Sequence, residues 1–86
     1  MEQNLDQRVK KVVSDIKIIR EQKGYKQVYL ADKLKISQHA YSKIELGHTS
    51  LTVERLFAIA QIFEMDVIDI VKYRSPVPAE DIKVTG

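Results

Sequence analysis

Two short helix-patterned runs stand three residues apart in this chain, and no other feature narrows its fold as much. The first run is Gln27 to Leu34, with Val28, Leu30, Ala31 and Leu34 as its apolar set. The second is Gln38 to Leu46, opened by Ser37 and stopped by Gly47. A serine before the first helical residue offers an oxygen to an orphan backbone N–H, and a glycine after the last one suits the left-handed turn that ends a helix. Lys35, Ile36 and Ser37 leave no length for a wide loop. The two helices must turn sharply against each other, which is a helix-turn-helix arrangement.

Helical spacing governs the rest of the chain as well. Leu5, Val9, Val12, Val13, Ile16 and Ile19 form one apolar stripe, and Gly24 ends it behind a cationic Lys23 that suits a helix C-terminus. This predicts a first helix from Leu5 to Lys23. Thr52 is placed to cap a fourth helix, with Glu54 in its first turn and a broad apolar face of Val53, Leu56, Phe57, Ile59, Ala60 and Phe63. Asp66 is placed to cap a fifth, with Asp69 as a capping-box acid and Val67, Ile70 and Val71 facing inward. The β-branched residues keep helical spacing throughout, so no strand is expected. After Tyr73 the chain reads RSPVPAEDIKVTG, where two prolines and small polar residues predict an extended or flexible tail. The expected organisation is all-α: residues 1–12 extending the first helix, 13–73 forming the domain, and 74–86 the tail.

Composition excludes several classes. The 86 residues suit one domain, and 44% hydrophobic residues are ordinary for a globular chain. The absence of cysteine removes disulfides, thiolate metal sites and cysteine nucleophiles. No apolar run approaches the roughly 18 residues of a membrane span, and the polar start MEQNLDQRVKK lacks a signal-peptide core, so a cytoplasmic protein is expected. His39 and His48 lack accompanying carboxylates and no metal site is expected. A Gly-rich phosphate loop and a Ser/His/Asp arrangement are missing too, so neither an enzyme, a cofactor nor a small-molecule ligand is expected. Net charge is only +2, but residues 17–43 hold seven basic side chains against two acidic ones, a local charge of +5, while the remainder carries −3. A basic segment between acidic flanks suits a face that meets phosphate, although a lysine-rich solvated surface gives the same count.

The stretch QVYLADKLKISQHAYSKIELG resembles the helix-turn-helix of the lambda-repressor/Cro-like (XRE-type) family of bacterial and phage regulators. The similarity runs from about Val13 to Val71 and includes LFAIAQIFEMDVIDIV. Gln27 opens the second helix, Ala31 is small at the helix crossing, and Ile36 follows the turn. Tyr41 and Ile44 take the buried positions of the third helix, and Glu45 and Gly47 close it. The resemblance implies a five-helix lambda-repressor-like domain whose second and third helices form the helix-turn-helix. It also implies binding of double-stranded DNA, as a homodimer on a two-fold operator.

Burying Ile36, Tyr41 and Ile44 leaves Ser37, Gln38, His39, Ser42, Lys43 and Leu46 on other faces. By resemblance Ser37, Gln38, His39, Ser42 and Lys43 face base edges. Glutamine matches the N6/N7 edge of adenine, and histidine or lysine can donate to guanine. Lys26, Gln27, Leu46 and His48 flank the phosphate path, with Gln27 at a helix N-terminus where its backbone N–H and side-chain amide suit one phosphate. Arg20 and Glu45 resemble the family's buried ion pair. For the dimer, Ile68 with Val71 on the fifth helix is the first expectation, and Leu5 with Val9 the second. Four positions depart from the family pattern: Lys35 and Glu64 stand where glycine is usual, Lys26 where Ser or Thr caps, and Leu51 where proline is usual. A left-handed Lys35 would cost about 1 kcal/mol or more relative to glycine. Within the family a phage-type repressor, a restriction-modification controller and an antitoxin with a toxin partner all fit, and a protein-interaction module of the same fold is the alternative from another class.

Overall fold

The computed structural model describes residues 5–74. It has five helices: α1 (Leu5–Gln22), α2 (Gln27–Leu34), α3 (Gln38–Glu45), α4 (Val53–Phe63) and α5 (Val67–Val71), with no strand among the described residues. Residues 5–12 of the expected N-terminal extension are the first turns of α1, and residues 1–4 lie outside the described residues. Of the expected tail, residues 74–86, all but Arg74 lies outside the described residues.

The core is drawn from every helix. Ile16 and Ile19 of α1, Leu30 and Ala31 of α2, Tyr41 of α3, Ile59, Ala60 and Phe63 of α4, and Ile70 of α5 form one buried cluster. Ala31 of α2 is buried in this cluster, where its single methyl group takes little room between packed helices. α2 packs on α3 and α4, α1 on α3 and α5, and α4 on α5. The last described residues also lie against α1. Lys11 Nζ is 2.5 Å from Asp15 and donates to the Tyr73 carbonyl at 3.1 Å, and the Tyr73 hydroxyl donates to Gln22.

The helix ends follow local chemistry. Ser37 Oγ accepts from the Ala40 N–H and Thr52 Oγ1 from the Arg55 N–H, each at 3.0 Å. Lys26 takes the N-cap position of α2 without a side-chain cap bond. Lys35 and Glu64 end α2 and α4 in the left-handed region, at φ 62° and 58°. At each end, consecutive backbone N–H groups turn back to helix carbonyls: Lys35 to Asp32 and Ile36 to Ala31, then Glu64 to Gln61 and Met65 to Ala60.

Several expected inward residues face outward. Val53 and Phe57 are 71% and 58% exposed, Val71 is 46% exposed, and Val28 is exposed on α2. On α4 the core takes the Ile59–Ala60–Phe63 stripe, and Val53 and Phe57 lie on a neighbouring stripe that the chain leaves uncovered. α5 has only five residues, so it buries one side chain deeply, Ile70, and a step of about 100° carries Val71 away from the core. Asp66 has the backbone of an N-cap but makes no side-chain cap bond, so the expected capping box does not form.

Candidate nucleic-acid interface

α3 is rotated by what it buries. Tyr41 and Ile44 are fully buried, and this turns Ser37, Gln38, His39 and Lys43 to the surface, with Ser42 half-buried. Ser37 uses an oxygen lone pair for its cap and keeps its hydroxyl proton as a donor. The exposed row therefore carries a hydroxyl, an amide, an imidazole and an ammonium within two turns.

Beneath this row lies a charged network that joins three helices. Arg20 of α1 donates from Nε to Glu45 Oε2 at 2.7 Å and from Nη2 to Oε1 at 3.2 Å. Its Nη1 donates to the Tyr25 carbonyl at 2.7 Å. Gln27 of α2 donates from Nε2 to Glu45 Oε1 at 3.0 Å, and the Tyr41 hydroxyl donates to Oε2 at 2.7 Å. The Arg20 and Glu45 side chains are only 8% and 2% exposed. Burial alone would raise the pKa of Glu45, but hydrogen bonds from Arg20, Tyr41 and Gln27 outweigh it and hold the carboxyl below its usual range. Burial likewise works against the charge of Arg20, and Glu45 more than offsets that, raising the guanidinium above its ordinary value. Burial first, then the bond to Glu45, pushes the Tyr41 phenol far up. The network thus holds an ionised pair at the end of α3, and no buried side-chain nitrogen or oxygen among the described residues lacks a partner.

The residues flanking α3 differ in what they can offer an anion. Lys26 is exposed, and the first turn of α2 behind it has no side-chain cap, which leaves backbone N–H groups turned outward at a helix N-terminus. The Gln27 side chain is engaged at both ends: Nε2 on Glu45, and Oε1 accepting from Gln38 Nε2 at 3.5 Å. Past the other end of α3 the backbone is used up. Leu46 N–H bonds to the Ser42 carbonyl, Gly47 N–H to Ile44, and His48 N–H to Lys43. His48 still offers its exposed ring, whereas Leu46 offers only an exposed apolar side chain.

Two members of the network escape a reading by pattern. Tyr41 reads as an apolar core residue, yet its hydroxyl bonds a carboxylate four residues on; a buried tyrosine needs a partner for its O–H, and Glu45 is the one within helical reach. The Gln27–Glu45 bond joins residues 18 apart in sequence and leaves no local trace.

A family model described as helix-turn-helix matches residues 16–70, from the middle of α1 to Ile70 of α5. Comparison with curated proteins and with solved structures yields no match.

Proposed function

Because the chain belongs to the lambda-repressor-like (XRE-type) helix-turn-helix family of DNA-binding regulators, we propose that it is a non-enzymatic, cytoplasmic transcriptional repressor that reads double-stranded DNA as a homodimer. The observation that carries this reading is the exposed polar row of Ser37, Gln38, His39 and Lys43 on a helix whose other face is fully buried. α3 enters the major groove, with Gln38, His39 and Lys43 against base edges and Ser37 and Ser42 as less discriminating contacts. Lys26, the backbone N–H of Gln27 and the His48 ring meet phosphate, and Leu46 lies against the backbone as an apolar contact. The +5 segment from residue 17 to 43 supplies attraction that does not depend on sequence. No helix among the described residues is long and apolar enough to cross a membrane.

Selection of bound sites from random-sequence DNA, followed by titration of the recovered site at several salt concentrations, tests this. A two-fold sequence should emerge, and the log–log slope of affinity against salt should be roughly −0.9 per phosphate neutralised, several units in all. No enriched sequence together with a flat salt dependence would overturn the reading. A protein partner, such as the toxin of an antitoxin pair, is the second reading. It draws on the uncovered apolar residues Val53, Phe57 and Ile68, and it predicts co-purification of one stoichiometric protein.

A further inference from the structure

Histidine is the only side chain whose ordinary titration falls between about pH 5 and 8. This chain has two, His39 on the exposed row of α3 and His48 just past the end of that helix. The buried network stays out of that range, because the Glu45 carboxyl is held low and the Tyr41 phenol is pushed far up. Near neutrality, then, pH acts on the surface proposed to meet DNA and not on the buried pair beneath it.

His48 sits in an open groove between α1 and the segment that follows α3. Its backbone is already committed: the His48 and Thr49 N–H groups both bond to the Lys43 carbonyl, at 2.9 and 3.3 Å. What this corner offers an anion is therefore the exposed ring. The groove also holds Asp6, Lys10 and Lys17 of α1 and Glu45 of α3. Asp6 is 3.4 Å from Lys10, and Glu45 is bound by Arg20, Tyr41 and Gln27. Both carboxylates of the groove are thus engaged, and neither pairs with His48. Lys17 has no ion-pair partner among the described residues. A phosphate diester brings the negative charge that this corner lacks, and beside it the imidazolium is favoured over the neutral ring. We propose that His48 makes phosphate binding proton-linked: the chain takes up a proton at this ring when it closes on the DNA backbone. The inference rests on the reading of His48 as a phosphate contact. The bound form holds the proton more tightly, so affinity is greatest in acid and is lost as pH rises through the titration of His48 in the complex.

The full-length chain is titrated against its selected site and against a random-sequence duplex, between about pH 5.5 and 8 and at several salt concentrations. Phosphate contacts do not depend on sequence. Both duplexes should therefore be bound about tenfold or more tightly in acid at low salt, with a salt slope steeper by about 0.9 for each chain bound. His48→Gln keeps a donor but cannot take a charge. It should hold affinity within about threefold across the range on both duplexes. Its melting temperature should match that of the wild type, since the ring is exposed. His39→Gln should keep the acid gain on the random-sequence duplex. A wild type whose affinity does not change with pH overturns the proposal, and so does an acid gain that persists in His48→Gln. An acid gain confined to the selected site and abolished by His39→Gln overturns it too, because the proton would then sit on a base contact. A wild type that binds neither duplex at any pH overturns the DNA reading itself, so the two failures are told apart.

Discussion

Arg20 and Glu45 bring opposite charges out of water, and the four donors around Glu45 repay that transfer only while every partner is present. Arg20→Ala or Glu45→Ala leaves one buried charge unpaired and should cost about 3–5 kcal/mol of stability, whereas replacing both by apolar residues should cost less. Urea unfolding checks both; single-variant losses under about 0.5 kcal/mol would mean that solvent already screens the pair. The pH dependence has a definite sign. The folded-state pKa of Glu45 lies below its ordinary 4.5, so its contribution is complete above that value and is lost as pH falls through the depressed one. The stability gap between the wild type and Glu45→Gln should therefore shrink in acid. Tyr41 is shifted the other way, and the help it gives should fade as pH rises past its ordinary 10.0.

α2 and α4 share an unusual ending, a charged side chain in a conformation that favours glycine, at Lys35 and Glu64. The left-handed penalty of roughly 1–2 kcal/mol exceeds the extra unfolded-state freedom of glycine, roughly 0.5–1 kcal/mol. Lys35→Gly and Glu64→Gly should thus each stabilise the fold by about 0.5–1 kcal/mol. The mirror experiment uses Gly24 and Gly47, at φ 78° and 80°, where an added Cβ meets nothing within 4 Å. Alanine at either should destabilise through the backbone alone. Chemical denaturation midpoints decide it, and a destabilised Lys35→Gly would sink the account. This ending is legible in the sequence because it is local: the helix must stop within three residues of Ser37, and lysine occupies the turn. The exposed row of α3 is legible for a related reason, since burying Tyr41 and Ile44 leaves one rotation of the helix. What is not legible is set by distant neighbours. Val53, Phe57 and Val71 fit an inward pattern, but how far a core reaches depends on which helix packs above it. The bonds of Gln27 and Tyr41 to Glu45 need the three helices already in place, and so does the loss of the Leu46 N–H to its own helix.

A domain of this size reads about half of a two-fold operator, and a dimer of such domains sets its two reading helices about 34 Å apart on one face of DNA. The proposed dimer therefore needs a self-complementary patch away from α3. Phe57 of α4 and Ile68 of α5 line one open groove, Val53 lies a turn before Phe57, and Val71 lies a turn after Ile68. All four are exposed apolar side chains, and Phe57 and Ile68 offer the groove that a two-fold mate would cover. The competing patch is the start of α1, where Leu5 and Val9 are exposed. Ile68 is 66% exposed, so Ile68→Asp removes little from the core and should leave each monomer folded by circular dichroism. Sedimentation should show the mass falling towards that of a single chain, and operator affinity should drop because the second half-site is no longer linked to the first. Phe57→Asp, across the same groove, should behave alike. If both variants stay dimeric while Leu5→Asp does not, the two-fold axis passes beside α1 instead, and the groove between α4 and α5 is left to a different protein.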